Sequence, residues 1–97
     1  MRRDSKIICK EYLDFVRSKP CCVSGEGPVD VHHLIAQGWR QAKRNDFTCV
    51  PLTRLKHSEV EQIGARKFEK KYNIDLWKEA AFLLMEFFGE NLIRIKK

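Results

Sequence analysis

A chain of 97 residues, 43% hydrophobic and 10% aromatic, can build one modest core but not two, so we expect a single domain over residues 1–97. No apolar run is long enough to span a bilayer, and no apolar signal region follows the charged start, which argues against a membrane or secreted protein and predicts a cytoplasmic one. The net charge of +6 favours a nucleic acid as partner, although small domains are often basic without one.

The first half of the chain is predicted to form a helix and two short strands. The helix is expected over residues 5–17, with Ser5 as its cap, because apolar residues recur there at helical spacing. Strands are expected over 21–23 and 29–34, with a tight turn rich in Gly and Pro between them. An irregular, polar stretch over 35–46 then predicts a loop that carries cationic residues.

The second half of the chain is predicted to be mainly helical. A strand over 47–50 leads into a helix capped by Thr53, and a further helix follows over 65–72. The last helix is expected over 75–89, with Asp75 as its cap and Gly89 as its stop, and residues 91–97 are expected to be a short strand or unstructured. This last helix has an apolar stripe that predicts packing against the core: Leu76, Ala80, Leu83, Leu84, Phe87 and Phe88.

Two adjacent histidines at the end of the second predicted strand are the most informative feature of the sequence. A strand sends neighbouring side chains to opposite faces, so packing seldom needs a pair such as His32-His33. One imidazole can bind a cation while the other moves a proton near neutral pH. The only other histidine, His57, lies near the start of the next helix and can converge with them on one ion.

Further polar residues surround this histidine cluster in the sequence. Glu61 follows His57 by four residues and therefore lies on the same face of the helix. Three roles are open for it: a metal ligand, a group that orients His57, or an ordinary solvated glutamate. Basic residues nearby are candidate phosphate contacts, with plain solvated charges as the alternative. These candidates are Arg40, Lys43, Arg44 and Lys56.

The central part of the sequence resembles an HNH endonuclease. The likeness is carried by four segments: Asp30-Val31-His32-His33-Leu34, the Gly-containing basic loop, residues 46–52, and the helix that begins at Thr53 and contains His57. The likeness is to compact phage and prophage members of this group, similar to the RecA-dependent recombination nucleases, and covers about residues 21–72. It implies an α+β fold in which a ββα-metal core contains a short β-hairpin. An N-terminal helix precedes this core and C-terminal helices pack against it.

The resemblance also implies roles for individual residues. His33 would be the general base that activates water, and His32 and His57 would be metal ligands. The central position of the motif is ambiguous, because Asn45 is adjacent to the expected place, Asp46 fits the phage-type pattern, and Thr48 fits a strict count from Leu52.

The implied cofactor is one divalent cation, with Mg²⁺ or Mn²⁺ expected and Zn²⁺ or Ni²⁺ as alternatives, and the implied substrate is DNA. One centre cuts one strand, so double-strand cleavage would need a homodimer or two visits, and a recombination partner is not specified. Many relatives hold a structural zinc with two Cys-x-x-Cys pairs. Here the corresponding places hold Cys21 or Cys22 with Ser24, and Thr53 with Lys56, so no structural zinc is expected.

Two other functions fit the same residues. The first is a nucleic-acid-binding module that keeps the HNH-like fold but has lost turnover. The second is a structural zinc-binding protein whose three histidines hold the ion together with Cys49 or Glu61.

Overall fold

The computed structural model describes residues 7–34 and 45–96, so the predicted phosphate contacts Arg40, Lys43 and Arg44 lie outside the described residues. Within the described part of the chain, no helix combines the length and apolar character needed to cross a membrane. The fold is α+β, as predicted, with two antiparallel strands and four helices among the described residues. In chain order these are α1 (Lys10–Arg17), β1 (Asp30–His33), β2 (Cys49–Leu52), α2 (Arg54–Ile63), α3 (Ala65–Tyr72) and α4 (Leu76–Lys96).

The hairpin of β1 and β2 separates two hydrophobic clusters. His32 pairs with Val50 and His33 pairs with Cys49, so alternation places each pair on its own face. Every residue of β2 is buried because the hairpin is covered on both sides. The first cluster contains Cys21, Leu34, Val50, Leu52, Val60, Phe68, Leu76 and Ala80. The second contains Tyr12, Leu13, Val16 and Cys49, packed against Val31, Phe47, Leu83, Leu84, Phe87 and others.

Two of the predicted strands differ from the structure. The strand predicted over 21–23 is wrong, because the chain turns there and the Gly25 N–H donates to the Cys21 carbonyl at 2.8 Å. Gly25 adopts φ +74°, a backbone conformation that favours glycine and closes this turn. The strand predicted over 47–50 begins at Cys49 instead, because Asn45 accepts the backbone N–H groups of Phe47 and Thr48 in a turn just before it.

The predictions for the two central helices are confirmed. Thr53 caps α2, and its hydroxyl accepts the backbone N–H of Lys56 at 3.4 Å. Gly64 follows α2 with φ +89°, so a residue with a side chain would be strained at the junction with α3. Asn73 then ends α3 in the left-handed conformation. The short link fixes the direction in which α3 leaves α2.

The bounds of the first and last helices were predicted less well. The first helix begins at Lys10, and residues 7–9 before it are not helical, so the predicted start is wrong; the predicted cap Ser5 lies outside the described residues. The side chain of Asp75 accepts the Lys78 N–H at 3.1 Å, so the predicted cap is confirmed. The predicted stop at Gly89 and the strand or unstructured tail are wrong, because α4 continues to Lys96. A glycine inside a helix costs only about 1 kcal/mol, which does not end a helix of this length.

A polar cluster joins α3 to α2 on the surface. The Tyr72 hydroxyl donates to Glu59 Oε1 at 2.5 Å, and it accepts a hydrogen bond from Lys56 Nζ at 3.0 Å. Lys71 pairs with the other oxygen of Glu59. The Lys71 ammonium, followed by the Tyr72 hydroxyl, lowers the pKa of the Glu59 carboxyl below its ordinary value. The ionised form of Glu59 is therefore favoured by folding.

We predict that Glu59→Gln changes how stability depends on acid pH. Because the pKa of Glu59 is lower in the folded chain, its contribution is present above the unfolded pKa and is lost as pH falls through the folded pKa. Free energies of unfolding measured by denaturant between pH 7 and pH 2.5 should differ most at pH 7 and converge at the acid end. Glu11→Gln, at an exposed position on α1, is the matched control. If the difference in free energy of unfolding between wild type and Glu59→Gln stayed constant over this pH range, the lowered pKa of Glu59 would be contradicted.

Candidate functional site

His57 is oriented by a carboxylate on the neighbouring strand. Its Nδ1 lies 3.3 Å from Asp30 Oδ2, and Arg54 Nε donates to the same oxygen at 2.8 Å. The hydrogen bond with His57, followed by Arg54, lowers the pKa of Asp30, so this carboxylate is ionised and accepts a hydrogen bond from the Nδ1–H of His57. The lone pair is then on Nε2, which is 3.7 Å from Glu61 Oε2.

His32 lies directly beside His57. The two ring centroids are 5.0 Å apart, with the ring planes at 67°. Burial, followed by charge repulsion from His57, lowers the pKa of His32, against an opposing attraction from Glu61. His32 therefore presents a neutral imidazole. His57 thus lies next to each of the other two predicted metal ligands, His32 and Glu61.

These residues fit a divalent cation by their chemistry. Neutral imidazoles are ligands for such ions, and a ligating histidine is commonly held by a carboxylate at its second nitrogen, as Asp30 holds His57. Between residues 7 and 34 and from 45 onward, no three His, Cys, Asp or Glu side chains are already arranged around one point where an ion could sit. His32 and His57 are therefore the pair around which further ligands would gather.

His33 makes a different contact on the opposite face of β1. Its Nε2 lies 2.9 Å from Oδ1 of Asp46, a fully buried carboxylate. The second oxygen of Asp46 accepts the backbone N–H of Cys9 at 2.8 Å, and the Asp46 N–H donates to Ile7 at 2.9 Å. The buried carboxylate thus has a fixed position, and it fixes the ring of His33. In the tautomer whose Nε2–H donates to Asp46, the lone pair of the His33 ring is on Nδ1.

The other candidates for the central position form turns. Asn45 Oδ1 accepts the N–H of Phe47 at 2.9 Å. The Thr48 hydroxyl donates to backbone carbonyls, 3.2 Å from that of Asn45 and 3.4 Å from that of Leu34. Of the three, Asp46 has the side chain that reaches a histidine. The remaining predicted contact, Lys56, has its ammonium on the Tyr72 hydroxyl and 3.8 Å from Glu59.

Both histidines of the pair border one open cavity, although their side chains leave opposite faces of the strand. The cavity has a volume of about 260 Å³ and a largely apolar lining. Besides His32 and His33 it is lined by Leu34, Val60, Ala65, Glu69, Leu76 and Trp77. A group bound at the histidines would therefore have this cavity beside it.

Sequence reasoning missed the roles of Asp30 and Arg54. Asp30 stands two residues before His32, so strand alternation puts both on the face toward α2, and this signal was available. Arg54 follows the cap residue of α2, and its reach to Asp30 depends on how the helix lies against the hairpin. Trp77 and Glu69 were missed because α4 and α3 approach the histidines only through tertiary packing.

The turn before β1 and the start of α2 meet around one thiol. Cys21 Sγ accepts the Ser24 N–H at 3.5 Å and lies within hydrogen-bond reach of the Thr53 backbone. Burial raises the pKa of Cys21, but the hydrogen bonds from Ser24 and then Thr53 outweigh it, and the net effect is a lowered pKa. Hydrogen bonds thus join the turn before β1 to the start of α2.

Comparison with known proteins gives a family for this chain. The sequence profile of a family described as "Protein of unknown function (DUF968)" matches residues 2–87. The chain is also similar to the uncharacterized protein YdfU of Escherichia coli K12, with 34% identity over 71 residues, or 71% of this chain. It spans only about a fifth of the length of that relative. No solved structure matches the chain.

We predict that Asp46→Ala lowers the free energy of unfolding by about 2–4 kcal/mol, because it leaves the half-buried Cys9 N–H and the His33 ring without their acceptor. Asp46→Asn should cost less, because its amide oxygen can still accept from Cys9. Asp14→Ala, which removes an exposed carboxylate paired with Arg17, is the control and should cost under about 1 kcal/mol. Denaturant unfolding measures all three, and equal losses for Asp46→Ala and Asp14→Ala would contradict the assigned role.

Proposed function

The chain belongs to the DUF968 family, and we propose that it is a metal-dependent DNA endonuclease with an HNH-like ββα-metal centre. The observation that carries the proposal is the arrangement of the three histidines. His32 and His57 lie side by side between β1 and α2, while His33 is oriented by buried Asp46 at the rim of the same cavity. This arrangement combines a ligand pair with an oriented base.

His33 is the general base in this proposal. Asp46 accepts a hydrogen bond from the Nε2–H of the imidazole, so the Nδ1 lone pair is available to take a proton from water as that water attacks phosphorus. The ring needs no reorientation, because Asp46 is itself held by the backbone of Cys9 and Ile7. Asp46 acts through His33 and is a positioning residue.

His32 and His57 would hold the divalent cation, and Glu61 would supply either a third ligand or a hydrogen-bond partner for His57. When bound, such an ion stabilises the negative charge that develops on the phosphate oxygens and on the leaving oxygen. Asp30 keeps the His57 ring in place and leaves Nε2 free for the ion. Mg²⁺ or Mn²⁺ suits the use of waters and phosphate oxygens as the remaining ligands.

DNA is the proposed substrate because the chain carries net charge +6 and the proposed chemistry acts on a phosphodiester. The binding-module alternative predicts salt-sensitive DNA retention without cleavage in any divalent metal. The structural-zinc alternative predicts that a chelator unfolds the protein, since a structural zinc contributes directly to folding. In the structure Cys49 donates its thiol proton to the Asp46 carbonyl at 3.2 Å and packs in the second cluster, which does not favour it as a ligand.

We predict that the wild-type protein nicks supercoiled plasmid DNA in Mg²⁺ or Mn²⁺ and that His33→Ala lowers the rate about 100- to 10,000-fold, the usual contribution of a general base. Thermal unfolding checks that the variant is folded. Lys78→Ala removes an exposed cation beside Phe82, and it should cut at the wild-type rate. The proposal fails if folded wild-type protein binds DNA but does not cut it in Mg²⁺, Mn²⁺, Zn²⁺ or Ni²⁺.

Metal binding gives a test that does not depend on cleavage. We predict that His57→Ala abolishes the binding of one Mn²⁺ per chain, as measured by electron paramagnetic resonance of the free ion. Asp30→Asn should weaken it about 10- to 100-fold, because the carboxylate that orients His57 is lost. Asp14→Asn, on an exposed face of α1, should bind as wild type. Equal Mn²⁺ affinity in wild type and His57→Ala would rule out this metal centre.

A further inference from the structure

The apolar cavity beside the histidine pair has no role in the chemistry proposed above. Its walls are carbon-rich side chains from β1, α2 and the start of α4, including Leu34, Val60 and Leu76. Among the described residues that line it, Glu69 carries the one carboxylate. A phosphate or a sugar-phosphate backbone would be repelled there, whereas an uncharged planar ring would not.

The aromatic ring of Trp77 stands at this cavity. The residue is 42% exposed although it lines the cavity, and its ring makes no contact with another aromatic ring in the part of the chain that the structure describes. An exposed tryptophan ring beside an apolar cavity offers a stacking surface. Stacking of a nucleobase on such a ring contributes substantially to the binding of single strands.

Glu69 adds a hydrogen-bond acceptor to the same cavity. One of its oxygens, Oε2, accepts the Leu76 N–H at 2.7 Å and so holds the start of α4. The other oxygen, Oε1, has no hydrogen-bond partner among residues 7–34 and 45–96. A carboxylate oxygen in this position accepts from an exocyclic amino group, which adenine, cytosine and guanine carry and thymine does not.

We propose that this cavity binds the unpaired nucleobase of a nucleotide next to the scissile phosphate, with Trp77 as the stacking surface and Glu69 as an acceptor for the base amino group. This inference rests on the proposed function, since it takes the phosphate to lie at His32 and His33. The volume of about 260 Å³ suits one ring system, being below the range of about 300–1,000 Å³ of larger ligand sites.

The substrate class that follows is DNA with an unpaired nucleotide beside the cut. A base inside a duplex is stacked and paired, so it reaches a cavity only after it leaves the helix. Single-stranded, flapped or frayed DNA presents such a base without that cost. The enzyme should therefore prefer an unpaired nucleotide beside the cut over an intact duplex.

The test measures the binding of oligonucleotides in EDTA, which removes divalent metal and so prevents cleavage during the measurement. Fluorescence anisotropy compares a labelled single-stranded oligo-dA with an abasic oligonucleotide of equal length. Wild type should bind the base-bearing strand about 5- to 150-fold tighter, the range that stacking one base contributes. Trp77→Leu, which keeps apolar bulk without a ring, should lose this preference, and Trp77→Phe should keep most of it. Phe82→Ala removes an exposed aromatic of α4 outside the cavity and should behave as wild type.

Base choice tests the role of Glu69 in the same assay. Wild type should bind oligo-dA tighter than oligo-dT, and Glu69→Gln should reduce or reverse that order, because its amide can donate to thymine O4. The amide oxygen still accepts the Leu76 N–H, so α4 keeps its start. Full base preference in a folded Trp77→Leu, or equal binding of base-bearing and abasic strands by wild type, would overturn the inference. Absence of cleavage in every metal would overturn the nuclease proposal alone and leave this binding result standing.

Discussion

The buried carboxylate of Asp46 is the interaction on which the rest of the site depends. It is fully buried, and its two oxygens serve different parts of the chain, with Oδ1 on His33 and Oδ2 on the backbone of Cys9. It thereby connects the residues just before α1 to the end of β1, while its own carbonyl accepts the thiol proton of Cys49 at the start of β2. A buried charge without such partners would cost several kcal/mol, so the fold and the orientation of His33 require each other.

The hairpin explains how two adjacent histidines come to do different work. Alternation gives His32 to the face covered by α2 and His33 to the face covered by α1, and each face supplies its own carboxylate. On one face Asp30 orients His57, whose ring lies beside His32, and on the other face Asp46 orients His33. Two hydrophobic clusters, one on each side, fix these arrangements independently. A one-residue shift in strand register would exchange the two faces and separate both pairs.

Much of this arrangement follows from local sequence, and the remainder depends on tertiary packing. Thr53 and Asp75 as caps are short-range signals, and the helices that follow them begin as predicted. The strand predicted over 21–23 failed because three apolar residues in sequence do not distinguish a strand from a buried turn. The partnership of His33 with Asp46 spans 13 residues and includes a contact with Cys9, so no periodicity could reveal it.

The long last helix shows why so short a chain can hold such a site. Its beginning, at Leu76 and Ala80, packs into the first cluster, while Leu83, Leu84 and Phe87 pack against the second. One rigid element therefore packs against both faces of the hairpin. The same geometry brings Trp77, on the first turn of α4, to the rim of the histidine cavity. The helix that packs against both clusters also shapes the space beside the proposed cutting site.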